Sequence, residues 1–315
     1  MKNCFWFLSS LLIIAVAACN KDSKGTTDPT AVSLDPANFI AAGLTTPITT
    51  VSCTLSDGTV TTCYSISTNN KPSEHTQGPW CPTNINDDKS KGGIWMEGGK
   101  VYDVDGAFIK NMSTFYSNAT WQMYKSDGTI NVTNSKAACQ AAARPDVDPT
   151  YKNYCVECQP SYISVTHTFL IPTKPVKLSS SSSISGMGTV IGTSLNGVVF
   201  DPPAPTQAIL GAFTLAPMDD AGGHVNLNEG YHYHAATGKT KEVAQTDGHA
   251  PLIGYAMDGY GMFAQLNQDG KEPADLDECR GHTDTTRGYH YHVASAGSNK
   301  FLGCFKGAQG THTVK

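Results

Sequence analysis

The chain has 315 residues, of which 39% are hydrophobic and only 16% are charged, and it contains ten cysteines and ten histidines. A formal net charge of −5 provides no basic surface, which excludes nucleic acid as the main partner. Ten cysteines are many for a protein of the reducing cytosol and favour an exported protein held by disulfides.

The first 18 residues have the pattern of an export signal. Lys2 precedes an uncharged apolar run from Phe5 to Ala18, which is shorter than the roughly 20 residues that a membrane-spanning helix needs. The sequence Val16-Ala17-Ala18-Cys19 is similar to a bacterial lipobox, and this similarity implies that Cys19 is lipidated. The alternative is an ordinary A-x-A cleavage site. We therefore predict a signal peptide over 1–18 and a flexible, lipid-anchored tether over 19–45 in a bacterial cell envelope, periplasmic or surface-exposed.

Eight cysteines remain once Cys4 and Cys19 are set aside, enough for up to four disulfides. Residues 51–64 predict a hairpin around Asp57-Gly58, which places Cys53 nearly opposite Cys63. A C-x-x-C motif lies at 155–158 without a surrounding βαβ pattern, so we interpret its cysteines as structural. The predicted half-cystines are Cys53, Cys63, Cys81, Cys139, Cys155, Cys158, Cys279 and Cys304.

Most of the remaining patterns predict strands. Residues 94–102 read as a tight hairpin, and residues 136–143 as one short helix with Ser135 as its N-cap, ending before Pro145. Strict alternation over 161–171 puts His167 on an apolar face, where we expect a hydrogen-bonded core histidine. Five serines at 179–183 predict a loop or linker. Further strands are predicted at 197–200, 209–213, 252–257 and 260–266.

These patterns predict a mainly β protein in two parts. Residues 46–160 form a small disulfide-rich N-terminal region with the one short helix. Residues 161–306 form a β-sandwich or barrel-like C-terminal domain, and residues 307–315 form a tail. The C-terminal domain contains an internal repeat, which predicts a pseudo-two-fold arrangement.

The repeat spans residues 219–236 and 277–294, and both copies fit the pattern D-[DE]-x-x-G-H-x5-G-Y-H-Y-H-x-A. In a strand, His232 and His234 point to one face and the intervening tyrosine to the other, and the second copy behaves alike. Imidazoles two residues apart lie about 6–7 Å apart at the backbone, close enough to share one metal ion. Three histidines with an open fourth position suit catalytic zinc, and imidazole also suits copper.

The predicted metal ligands are the repeated histidines together with His249, which lies between the copies as an extra ligand or a proton shuttle. Asp247, Asp258, Asp277 and Glu278 are candidate partners that orient the imidazoles, and the last two are also candidate general bases. The alternative is a metal-free ladder of hydrogen-bonded tyrosines and histidines, with the aspartates as turn formers. The complete set of predicted ligands is His224, His232, His234, His249, His282, His290 and His292.

The repeated Gly-Tyr-His-Tyr-His segments resemble the YHYH domain family over residues 160–306. The supporting segments are Gly222-Gly223-His224-Val225, residues 247–255, residues 276–282 and Gly303-Cys304-Phe305. The resemblance implies no activity, because the family is defined by sequence, and so no catalytic residue is transferred to this chain. Cys279 has Ala221 as its counterpart in the first copy, so the two copies do not have the same disulfides.

Three functions follow from these observations. The first is a cell-envelope protein that binds a divalent transition metal, zinc or copper. The second is a metalloenzyme, either a hydrolase or a copper redox enzyme. The third is a metal-free β module that binds a carbohydrate or a protein through a face formed by its tyrosines and histidines. The spacing leaves open whether the two copies share one site or hold two.

Overall fold

A computed structural model describes residues 25–28, 30–143, 146–184 and 189–315. The predicted signal peptide, the predicted lipidation site at Cys19, and Pro145, before which the helix was predicted to end, lie outside these residues. Within the described part of the chain, no helix is long and apolar enough to cross a membrane.

The described residues are mainly β, with short helices between the strands. The helices are Gly106–Lys110 (α1), Met112–Phe115 (α2), Lys136–Ala142 (α3) and Thr206–Gly211 (α4). The strands are Thr26–Thr27 (β1), Thr49–Thr54 (β2), Val60–Thr68 (β3), Ile94–Glu97 (β4), Lys100–Asp103 (β5), Tyr154–Cys155 (β6), His167–Pro172 (β7), Val176–Ser183 (β8), Gly192–Ser194 (β9), Val199–Phe200 (β10), Thr214–Leu215 (β11), Gly223–Asn226 (β12), Gly230–Tyr233 (β13), Leu252–Ala256 (β14), Gly261–Phe263 (β15), Gly281–Asp284 (β16), Gly288–His292 (β17), Cys304–Gly307 (β18) and Thr311–Val314 (β19).

An eight-stranded sheet carries the repeat, in the order β12-β13-β10-β9-β14-β15-β17-β16. The pairs β10–β13 and β15–β17 are parallel, and the other neighbours are antiparallel. The strand order and pairing types are therefore the same on both sides of the central β9–β14 pair. The sheet does not close on itself, since β12 and β16 lie at its two edges, so the described residues form no closed barrel, and the β-sandwich alternative stays a prediction.

The duplication extends beyond the segments found in the sequence. Ile191-Gly192 through Asn196-Gly197 forms the β9–β10 hairpin, and Ile253-Gly254 through Asp258-Gly259 forms the β14–β15 hairpin. A Cβ atom on Gly192 would overlap the carbonyl oxygen of Tyr255 on the opposite strand, so a glycine is required where the two halves meet. The shared I-G-x-x-[LM]-[ND]-G pattern is a sequence signal for this part of the repeat.

A four-stranded sheet, ordered β19-β7-β3-β2, joins the two predicted parts of the chain. Strand β3 belongs to the predicted N-terminal region, whereas β7 and β19 come from the predicted C-terminal domain and tail. Residues 307–315 therefore contribute a strand. His167, at the start of β7, is buried and hydrogen-bonded to His312 and to the carbonyl of Glu229, as predicted for a core histidine.

Residues 25–28 and 30–45 pack against the sheets, so the prediction of a flexible tether is wrong for these described residues. β1 pairs with β8, Leu34 and Phe39 are buried in the main core, and the Tyr255 hydroxyl accepts hydrogen bonds from Asp35 and Asn38. Apolar burial outweighs the polar composition of the segment.

Two local predictions are wrong, the loop or linker at the five serines and the strand at 209–213. The serine stretch is part of β8, which pairs with β1 and β18, so partner strands and not composition decide its conformation. The predicted strand at 209–213 is largely helix α4, which begins after Pro205. A short apolar run suits a helix or a strand, and proline fits the start of a helix.

The predicted disulfide Cys53–Cys63 is confirmed, and it links the two strands of the β2–β3 hairpin. The C-x-x-C cysteines are structural half-cystines, because Cys155 bonds to Cys81 and Cys158 bonds to Cys139. The fourth disulfide joins Cys279 to Cys304. Helix α3 is capped by Ser135 as predicted, and the hairpin β4–β5 is also confirmed.

Candidate metal centres

The first cluster of imidazoles, His224, His232 and His234, lies on the β12–β13 hairpin. His224 and His232 are direct cross-strand neighbours, and His234 follows two residues later on the same face. The Nε2 atom of His234 lies 3.1 Å from Nε2 of His232 and 3.2 Å from Nε2 of His224. Three ring nitrogens therefore converge at one point, where they form a group able to hold a metal ion.

The second cluster lies on the β16–β17 hairpin and has four members. His282 and His290 are cross-strand neighbours, and His292 shares their face. His249, from the segment before β14, brings its Nε2 to within 3.0 Å of Nε2 of His290 and 3.1 Å of Nε2 of His292. The structure thus places His249 with the second copy only.

The hairpins that carry both clusters are built by the other residues of the repeat. Gly230 and Gly288 have positive φ angles of 78° and 63° at the end of each turn, which glycine adopts without strain. Asp219 accepts hydrogen bonds from the N–H groups of Ala221 and Gly223 and from the Tyr231 hydroxyl. Asp277 makes the equivalent bonds in the second copy, to Cys279, Gly281 and Tyr289.

Most of the imidazoles donate a hydrogen bond from Nδ1–H to a backbone carbonyl, which fixes the orientation of the ring. The Nδ1–H of His232 and that of His290 donate to the carbonyls of Gly230 and Gly288, two residues earlier. A carbonyl only accepts, so each such bond requires the proton to be on Nδ1 and leaves the Nε2 lone pair free. The remaining pairs are His234 with Pro202, His249 with Ala250, His292 with Ala264, and His282 with the carboxylate of Asp275.

Burial keeps these rings neutral. Burial lowers the pKa of His224 to about 3, of His290 to about 4 and of His292 to about 3. Neighbouring histidines add to the effect at all three. Burial likewise lowers the pKa values of three other histidines, His232, His234 and His249.

Neutral rings protonated on Nδ1 cannot hydrogen-bond to each other through Nε2, because two acceptors face each other. Three Nε2 pairs of such rings nevertheless lie 3.0–3.1 Å apart. A tetrahedral zinc ion with Zn–N bonds of 2.0–2.1 Å would place its nitrogen ligands about 3.3 Å apart. The Nε2 atom of His282 is likewise buried without a hydrogen-bond partner among the described residues. Both clusters therefore have the spacing and the free lone pairs of a metal-ligand set.

The tyrosines of the repeat lie on the opposite face and are buried. The hydroxyl of Tyr233 accepts a hydrogen bond from Asn196, and that of Tyr291 donates to Asp258. Tyr231 and Tyr289 are held by the aspartates of the turns. Since these rings are in the core, the hypothesis that a face formed by tyrosines binds a carbohydrate or a protein is wrong.

Four predicted orienting residues contact other groups. Asp247 pairs with Arg287, Asp258 with the Tyr291 hydroxyl, and Asp277 with Tyr289 and the turn, so their carboxylates do not hold an imidazole. Glu278 is exposed near Lys306. Asp275 instead accepts from His282 Nδ1 at 2.9 Å. The sequence repeat does not predict this role of Asp275, because the matching position in the first copy is Pro217.

Asp258 yields a pH-dependent prediction. Burial raises the pKa of its carboxyl to about 6, although hydrogen bonds from Tyr291 and from the N–H of Gly307 oppose the shift. An unfolded aspartate ionises near pH 4, so stability contributed by the protonated carboxyl is present below that pH and is lost as the pH rises through about 6. Asn196 occupies the matching position, so Asp258→Asn is expected to fit and to raise the free energy of unfolding at pH 7.5 by about 1–3 kcal/mol.

Urea unfolding of the wild type and of Asp258→Asn at pH 4.5 and pH 7.5 measures this effect, with Asp269→Asn as an exposed control. Asp258→Asn should increase the free energy of unfolding at pH 7.5 and leave it unchanged at pH 4.5. An equal change at both pH values would contradict the role of ionisation.

A cavity of about 800 Å³ opens beside the first cluster, lined by its three histidines and by Asp201 and Glu229. Oxygen atoms of these two carboxyls and Nε2 of His232 lie within 4.8 Å of one another. Burial and the charge of Glu229 raise the pKa of Asp201 well above its usual range. Sequence reasoning missed both residues, because the parallel pairing of β10 with β13 that brings them together is not visible in the sequence.

The comparisons with known proteins agree with the sequence motif. A family model described as YHYH protein matches residues 168–275, from β7 to beyond β15, and confirms the family resemblance. The matched region contains the whole first cluster and His249. No curated protein and no solved structure matches the chain.

Proposed function

We propose that this YHYH-family chain is a protein that binds two divalent transition-metal ions, one in each imidazole cluster. The observation that carries the proposal is the convergence of Nε2 atoms in each cluster, with six of the seven rings held from the opposite side by a hydrogen bond at Nδ1. Metal-bound histidines are commonly oriented in this way, by an Nδ1–H bond to a carbonyl or a carboxylate. Without a cation, the same arrangement leaves lone pairs facing one another inside the protein, which is unfavourable.

Two separate sites are more consistent with the fold than one shared site. The sheet order puts four strands between β13 and β17. Five inter-strand spacings of about 4.8 Å put β13 and β17 roughly 24 Å apart along the sheet, far beyond the reach of one ion. The equal pairing on both sides of β9–β14 supports a pseudo-two-fold relation between them.

The donor set favours zinc or copper. Imidazole nitrogen is a preferred ligand of both ions, whereas magnesium and calcium prefer oxygen. We place the protein in a bacterial cell envelope, attached through a lipid on Cys19, because the apolar leader precedes a lipobox-like sequence and four disulfides suit an oxidising compartment.

Elemental analysis of the untagged protein, followed by titration with zinc and with copper, tests the proposal. We expect about two equivalents per chain, as two separate ligand sets require. A paramagnetic copper signal distinguishes the two metals. Less than about a tenth of an equivalent, with no uptake on titration, would leave the metal-free ladder as the explanation of the clusters.

A further inference from the structure

The two clusters differ at the positions that surround them. Parallel pairing sets Phe200 beside Tyr233 and Met262 beside Tyr291, so the next residues, Asp201 and Phe263, are equivalent. In the repeat, Glu229 is likewise equivalent to Arg287, since each directly precedes the glycine of the Gly-Tyr-His-Tyr-His segment. The first cluster therefore has two acids where the second has a phenyl ring and a guanidinium.

The second cluster is closed by these replacements. His249 supplies a fourth nitrogen, and the ring of Phe263 packs 4.7 Å from the ring of His249 and 5.0 Å from that of His290. The guanidinium of Arg287 forms ion pairs with Asp247 and Asp284 and packs over the ring of Phe263. Four protein ligands complete a tetrahedral set, which is typical of a structural metal site.

The first cluster is open on the corresponding side. It has three nitrogens, and all three of its histidines face the cavity of about 800 Å³. The carboxyls of Asp201 and Glu229 reach into the same space, and Oε2 of Glu229 is buried with no hydrogen-bond partner among the residues that the structure describes. Three histidines with an open position for water are typical of a catalytic site.

We propose that the first cluster is a hydrolytic centre, which rests on the proposed metal binding, and that Glu229 is its general base. A metal ion held by His224, His232 and His234 would supply an activated water molecule as the nucleophile. Glu229 accepts a proton from this water while the oxygen attacks the carbonyl carbon of the substrate. A C–O bond forms and the bond to the leaving group breaks. The proton passes from Glu229 to the leaving group, which gives a carboxylic acid and an alcohol.

The cavity favours an uncharged ester with an apolar acyl group. Trp80, Val156 and Ile209 contribute apolar walls. Acids outnumber cations on the lining, where the lysine, Lys136, is exposed. This charge balance disfavours phosphate esters and other anions.

The test uses the zinc-loaded full-length protein with 4-nitrophenyl butyrate as the probe, and zinc content is measured for every variant. We expect His224→Ala to lose one equivalent of zinc and the esterase activity. Glu229→Gln should keep both equivalents and lower kcat/KM by about 100-fold or more, mainly through kcat. The exposed acid Glu278→Gln is the matched control and should equal the wild type.

Wild-type protein with two bound zinc ions that hydrolyses the ester no faster than His224→Ala would overturn the proposal. So would Glu229→Gln with wild-type kcat and full zinc content. In both cases metal binding itself would stand. Absence of bound zinc in the wild type would overturn both proposals, so the two failures are distinguishable.

Discussion

Changing His232 and His234 together to alanine is expected to remove one of the two bound metal ions and leave the other tightly bound. The pair supplies two of the three nitrogens of the first cluster, and one remaining imidazole binds a metal only weakly. The second cluster shares no ligand with the first, so its affinity should change little. Metal content after dialysis against a weak chelator measures the effect.

The matched variant changes His290 and His292, which hold the equivalent positions in the second cluster. It should lose the other equivalent, and the variant with all four changes should bind no metal tightly. Far-UV circular dichroism checks that each variant is folded. If changing His232 and His234 empties both sites, the clusters act as one site and the assignment of two sites is wrong.

Removing the metal with a chelator is expected to lower the melting temperature by about 10–15 °C. An ion that binds the folded state alone contributes about 4 kcal/mol when its free concentration is a thousandfold above Kd, and each kcal/mol shifts Tm by about 2–4 °C in a domain of 150–250 residues. Most of the loss should come from the second cluster, because it is enclosed and has four protein ligands. Differential scanning calorimetry of the oxidised protein provides the measurement.

The variant lacking His290 and His292 is the control for this experiment. Its Tm should already be low and should fall only a few degrees further with chelator. A Tm that does not respond to chelator in the wild type would show that metal does not stabilise this fold.

Local patterns predicted much of the β structure. The β2–β3 and β4–β5 hairpins, the Ser135 cap and the faces of the Gly-Tyr-His-Tyr-His strands depend on residues close in sequence, and the structure agrees with each. The serine strand β8 and the packing of residues 25–45 depend on distant partners, which composition does not reveal.

The candidate sites follow the same division. The repeat identified the histidines because their spacing is local and occurs twice. The assignment of His249 to one cluster and the presence of Asp201 and Glu229 at the other depend on which strands lie side by side in the eight-stranded sheet. Asp258 was predicted to orient an imidazole, but it lies in the turn between β14 and β15, where its carboxylate accepts a hydrogen bond from Tyr291.

Anomalous diffraction from crystals of the untagged protein, collected at the zinc and copper absorption edges, tests the central claim most directly. We expect two peaks per chain, one about 2 Å from Nε2 of His224, His232 and His234, and one at the same distance from Nε2 of His249, His282, His290 and His292. Metal-loaded crystals with no peak at either cluster, and with the imidazoles joined instead by hydrogen bonds, would contradict it.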